Sequence, residues 1–152
     1  MAKGHLKDKN EIIAHRFFDE VFNQGRLSVV DEIFHPQYVG YSSASFTGPI
    51  QGREGIKKFV TVYRTAFPDI HFTFEDTLTA GQKVVVRWTT RGTHKGKLMD
   101  ILPTGKLIDI AGIGIAQIVN GQIFRSLSQV NVLSMMQQLG VVGQIGTPGD
   151  KP

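Results

Sequence analysis

The feature that most constrains this chain is a change of hydrophobic period at Pro68. Before it, apolar residues recur at helical spacing; after it, they alternate with polar ones. From Asn10 to Gln24, Ile13, Phe17 and Val21, with Phe18 and Phe22 one position on, form a wide apolar stripe. That stripe predicts a helix lying on a core. Asn10 stands where a cap belongs and Gly25 where a left-handed residue ends the helix. A second, short helix is predicted over Leu27–Phe34, stopped at His35-Pro36 because the residue before proline is pushed out of the helical region. A third runs from Arg53 to Ala66, with Ile56, Phe59, Val60 and Tyr63 on one face. Between them lies a short extended piece, Tyr38 to Tyr41.

Beyond Pro68, Ile70, Phe72, Phe74 and Asp76 alternate with His71, Thr73, Glu75 and Thr77. A turn at Ala80-Gly81-Gln82 leads into a strand over Lys83–Lys97, and a loop around Leu102–Gly105 precedes another over Lys106–Val119. Asn120-Gly121 is the strongest hairpin signal, opening a last strand from Gln122 to about Val132. A helical turn through Leu139 and Gly140 closes the pattern. Helices first and long antiparallel strands later predict an α+β fold over residues 10–142. A sheet of such strands must curl. The expectation is a curved antiparallel sheet wrapped around the N-terminal helices, cone-shaped, with a central pocket. Residues 1–9 and 143–152 read as flexible tails by composition.

The 152 residues, 41% apolar and 20% charged, make one ordinary globular domain and exclude a disordered or fibrous class. Cysteine is absent, which removes a disulfide framework, a thiolate zinc site and a cysteine nucleophile, and fits a reducing, cytoplasmic setting. No apolar run reaches the ~18 residues of a membrane span, and the polar start at Met1–Lys7 predicts no signal peptide. Of the net charge of +4, half sits on residues 1–9; elsewhere basic residues are scattered, so nucleic-acid binding is not expected. His15, His35, His71 and His94 show no HxH or HExxH spacing, and Gly112-Ile113-Gly114 lies inside a strand with no helix after it. Neither a metal nor a phosphate-bearing cofactor is therefore expected.

The run Gly92-Thr93-His94-Lys95-Gly96-Lys97-Leu98, followed by Ile101-Leu102-Pro103-Thr104-Gly105-Lys106, resembles the signature of SnoaL-like polyketide cyclases and ester cyclases. These belong to the nuclear-transport-factor-2-like superfamily of α+β cone folds. Phe22-Asn23-Gln24-Gly25, the stretch Val30–Tyr38, Ala66-Phe67-Pro68-Asp69, Val86–Thr89 and Ile118–Ile123 extend the resemblance over nearly the whole body. It implies a cofactor-free aldol cyclisation, in which a pocket carboxylate takes a proton from an acidic carbon of a polyketide ester. Desolvation would raise the pKa of that carboxylate to suit the task. In the family this group is an aspartate on the last strand; its matching position here is Ser128. A second polar pocket position falls at Gly114, and Arg125-Ser126-Leu127 replaces an EHW-like stretch. A serine without an adjacent base cannot abstract a carbon-bound proton near pH 7.

If Ser128 points inward, as the resemblance implies, Phe124, Ser126 and Val130 share its face. Trp88 and Gly114 join them as expected ligand-binding positions, with Tyr41 at the pocket mouth. Asp76, in phase with Ile70, Phe72 and Phe74, is expected to be buried, and His94 shares the parity of Trp88. These two are the candidates for a displaced acid/base, against simpler roles in pairing and loop hydrogen bonding. Two readings stay open: a cofactor-independent cyclase, isomerase or hydrolase acting on a small hydrophobic, polyketide-like molecule, or a non-catalytic binding or scaffold protein. The outer face, with Val85, Arg87 and Thr89 beside Ile113 and Ile115, predicts a homodimer through the sheet.

Overall fold

A computed structural model describes residues 8–143. The expected tails therefore fall mostly outside the described residues. Helix α1 (Lys9–Arg16) is capped by Asp8, whose carboxylate accepts from the Asn10 amide at 2.8 Å. This corrects the expected cap: Asn10 lies inside the first turn, and its side chain reaches the Gly81 carbonyl instead. The helix continues as a π-helical stretch, Phe17–Asn23, whose wider turn carries i→i+5 bonds. Gly25 ends it with φ +70°, and a Cβ there would meet the Arg64 guanidinium at 2.8 Å. That guanidinium donates to the Phe22 carbonyl, so the glycine leaves room for the group that closes the helix.

A 3-10 turn (Leu27–Val29) leads into α2 (Val30–Ile33). Strand β1 (Phe34–Ser42) follows at once and runs through Pro36, where the sequence predicted only a short extended piece. The proline is tolerated because the register with its neighbour breaks between Phe34 and Val39, leaving no ladder bond for its missing N–H to make. A two-residue edge strand, β2 (Ile50–Gln51), precedes α3 (Gly52–Ala66), which buries Ile56, Val60, Tyr63 and Ala66 at helical spacing.

After Pro68 come β3 (His71–Ala80), β4 (Lys83–Thr93), β5 (Leu107–Val119) and β6 (Gln122–Val130). Asn120 and Gly121 both have positive φ, the conformation their hairpin requires. Strand β4 stops four residues before the expected Lys97, because the Lys95 and Gly96 amides turn to the Ala66 carbonyl at the end of α3. Helix α4 (Val132–Leu139) has two turns, capped by Asn131 and ended by Gly140 at φ +81°. It buries Met135 and Leu139 and locks onto β5 through paired bonds between the Gln138 amide and the Asp109 backbone.

The six strands form one open sheet in the order β2-β1-β6-β5-β4-β3. All neighbours are antiparallel except β1 and β6, which run parallel. The expected antiparallel sheet is thus present, with that seam as its parallel exception. A parallel pair needs a long crossover, and the intervening α3, β3, β4 and β5 supply it. Phe22, Phe72 and Trp88 join helix to sheet with ring centroids 4.7 and 4.9 Å apart. Phe34 and Tyr38 extend this aromatic layer along β1.

Candidate functional site

Alternation along the strands sends Val84, Val86, Trp88 and Thr90 of β4 toward the helices, opposite Ala116, Gly114, Gly112 and Ile110 of β5. The two glycines do different things. A Cβ on Gly112 would lie 2.2 Å from the Trp88 ring, so the indole can lie over β5 only because nothing projects there. A Cβ on Gly114 would meet nothing closer than 3.4 Å, with Ser128 as one neighbour. The space above Gly114 belongs to a cavity of about 120 Å³. Phe17, Phe18 and Phe22 of the π-helical stretch roof it, α3 contributes Ile56, Phe59 and Tyr63, and α4 contributes Met135.

Hydroxyls interrupt this apolar lining at a few places. The Tyr38 and Ser126 oxygens stand 2.6 Å apart across the parallel seam. Gly40 sits beneath them, where a Cβ would come within 1.9 Å of the Tyr38 oxygen. Burial pushes the Tyr38 phenol up to about 12, against the opposing effect of its bond to Ser126. Burial raises Tyr63 as well, and its O–H donates to the Ala44 carbonyl at 2.5 Å. Thr90 donates to the His71 carbonyl at 3.0 Å, and Ser42 accepts from the Ala44 amide at 3.1 Å. Ser128 completes the set. Among the described residues, the lining holds no Asp, Glu, His, Lys or Arg. Such a site donates hydrogen bonds from neutral hydroxyls, and nothing in it can take a proton from carbon near neutral pH.

Of the positions the sequence singled out, Trp88, Gly114, Ser126, Ser128 and Tyr41 all line the cavity, Tyr41 with about half its surface exposed. Three do not. Asp76 was expected on the buried face, but the register slips between Phe74 and Asp76. That bulge turns the carboxylate to the outer face, where it pairs with Arg87 at 2.7 Å and stays largely exposed. Phe124 leaves the inward row for the same reason: Ile118 faces Ile123 while Gln117 faces Arg125, so an extra residue is absorbed there. Its ring instead packs edge-on against His35, beneath the Arg125 guanidinium.

His94 is fully buried yet lies past the end of β4, outside the lining. Its Nδ1 accepts from the Thr104 amide at 3.1 Å, beside the Thr104 hydroxyl at 3.0 Å. Backbone bonds to Gly105 and Lys106 fix the same connection, and burial lowers the imidazole pKa. The residue therefore closes the β4–β5 loop. Tyr38 is a lining group to which the sequence did not point. Its partner lies 88 positions away, and no local pattern brings the two together. Among the described residues, no group of His, Asp and Glu is placed to hold a metal, and no helix is long and apolar enough to cross a membrane.

The sequence pattern of the family described as SnoaL-like polyketide cyclase matches residues 12–139. Among solved structures, a candidate SnoaL-like polyketide cyclase from Jannaschia sp. CCS1 matches with a TM-score of 0.80 at 21% identity, over 91% of this chain and 99% of that one. A candidate polyketide cyclase from Acidithiobacillus ferrooxidans matches at 0.79 and 25% identity, over 90% and 98% of the two chains. IdmH, a candidate polyketide cyclase from Streptomyces antibioticus, matches at 0.76 and 24%, over 88% and 99%. No curated protein gives a significant match. The likenesses establish the α+β fold of the nuclear-transport-factor-2-like type.

Proposed function

This chain belongs to the SnoaL-like polyketide cyclase family, and from that premise we propose that it holds a compact, largely apolar molecule in the cavity above β5 and β6. The observation that carries the reading is the lining, which among the described residues combines aromatic and aliphatic walls with a few hydroxyls and no carboxylate or imidazole. Ser128 stands where the family resemblance expects the acid/base. Proton abstraction by a lining side chain is thereby removed, and binding remains. Size narrows the ligand further. The cavity volume of about 120 Å³ falls below the ~300–1,000 Å³ of sites for drug-sized molecules and near the ~150 Å³ that accepts benzene. The ligand is therefore of single-ring size.

Trp88 is the only tryptophan of the chain and lines the cavity, so its fluorescence reports occupancy. Ethylbenzene should change that emission saturably, and Gly114→Leu, which fills the space above β5, should abolish the change. Equal binding by the two proteins, or no response in either, would refute the reading. Two copies of the chain pair through the outer face of the sheet, where Leu78, Ile113, Ile115 and Leu127 stand exposed. Light scattering should then give twice the chain mass, and Ile113→Lys should halve it; a monomeric wild type excludes the pairing.

A further inference from the structure

We propose that Ser126 is the hydrogen-bond donor that selects the ligand and that Tyr38 acts through it, the two forming a hydroxyl relay toward a neutral carbonyl oxygen on a single-ring apolar molecule. The inference rests on the cavity being a ligand site and adds which atom of the ligand is recognised. It follows from counting protons. Two hydroxyls carry two protons, and only one can lie in the 2.6 Å gap between Tyr38 and Ser126. The phenol is the stronger acid, so it donates and the serine oxygen accepts. The serine proton then has no acceptor among the described residues, although Ser126 lines the cavity. Ser126 is half-buried on the cavity wall, so its free proton points to the space a ligand would fill, and a ligand oxygen there gains a hydrogen bond. Tyr38 is only 2% exposed, so the bond it makes is strong, and a hydroxyl that accepts such a bond becomes a better donor itself.

The surroundings show that the pair is built in. Gly40 clears the space the Tyr38 oxygen needs, and a methyl there would displace it from Ser126. The same lining decides the charge of the acceptor. No cation faces the cavity among the described residues, so a carboxylate would be buried without a counter-ion, and a ketone, aldehyde or ester carbonyl is the group that fits.

Acetophenone, ethylbenzene and benzoate are single-ring probes that separate these terms. Ser126→Ala should weaken acetophenone about five- to tenfold and ethylbenzene less than twofold, as the loss of one hydrogen bond requires. Tyr38→Phe should weaken acetophenone about threefold, and benzoate should bind the wild type far more weakly than either neutral probe. The infrared C=O stretch of bound acetophenone should shift to lower frequency in the wild type, partly recover in Tyr38→Phe, and reach its value in hexane in Ser126→Ala. A hexane-like stretch in the wild type itself overturns the relay, as does an equal effect of Ser126→Ala on ketone and hydrocarbon. In both cases ethylbenzene still binds and the cavity reading survives. Failure of both neutral probes to perturb Trp88 overturns the cavity reading, and the relay with it.

Discussion

Replacing Gly112 by alanine tests the packing logic of the site at one atom. The added Cβ would lie 2.2 Å from Cζ2, 2.4 Å from Cη2 and 2.8 Å from Cε2 of Trp88. Ordinary carbon contacts begin near ~3.5 Å, so the indole must retreat by more than ~1 Å. It cannot do so freely, because the Phe72 ring stands 4.9 Å from it and the Phe18 ring 6.2 Å. Overpacking of this kind costs about 2–3 kcal/mol, which for a chain of this size lowers Tm by about 5–10 °C. Gly114→Ala, two residues along the same strand, meets nothing closer than 3.4 Å. It should leave stability unchanged or raise it by about 0.4–1 kcal/mol through the unfolded chain. Urea unfolding followed by far-UV circular dichroism reads both. In a Trp88→Phe background the cost of Gly112→Ala should fall below about 1 kcal/mol, a coupling that only direct contact explains. Equal stability of the two alanine variants, or a Gly112→Ala cost that persists without the indole, would refute the reasoning.

The buried tyrosines set an alkaline limit. Tyr38 titrates near 12 in the folded state and Tyr63 is also raised, whereas an unfolded tyrosine titrates near ~10. Their contribution is complete below pH ~10 and is lost as pH rises toward 12, at up to about 1.4 kcal/mol per pH unit for each; urea midpoints should fall over that window, less steeply in Tyr38→Phe. His94 acts at the other end. Its lowered pKa keeps it neutral when folded, so stability present above pH ~6.5 should decline below it, and His94→Gln should flatten that limb of the urea midpoint profile. Asp76→Asn removes an exposed pair with Arg87; it should cost less than about 1 kcal/mol and leave acetophenone affinity within twofold of the wild type.

How far the site could be read beforehand depended on how local each decision was. The parity that placed Trp88 on the inward face, and Ser126 beside the Ser128 of the family resemblance, holds over stretches of strand without a bulge. The same parity misplaced Asp76 and Phe124, because a bulge at each of those points advances one strand by a residue while its partner stays in step. Whether a strand bulges depends on what its neighbour must bury, which alternation along one segment does not record. His94 kept its inward parity on paper only, since β4 ends where the Lys95 and Gly96 amides find the Ala66 carbonyl.

The sequence alone determined the order and kind of most elements, though not the edge strand β2, the π-helical stretch or the reach of β1 through Pro36. The switch of period at Pro68, the Asn120-Gly121 turn and the spacing of Ile56, Val60 and Tyr63 each act over a few residues, where backbone sterics and side-chain periodicity suffice. It also determined that residue 128 is a hydroxyl. Only the tertiary structure decided what those elements enclose. The parallel seam of β1 and β6 joins positions 88 residues apart, setting Tyr38 against Ser126 over Gly40. The bulge in β3 carried Asp76, the carboxylate candidate, to solvent. Both outcomes come from pairing between distant strands, whose register is set by the burial of the whole sheet rather than by any segment within it.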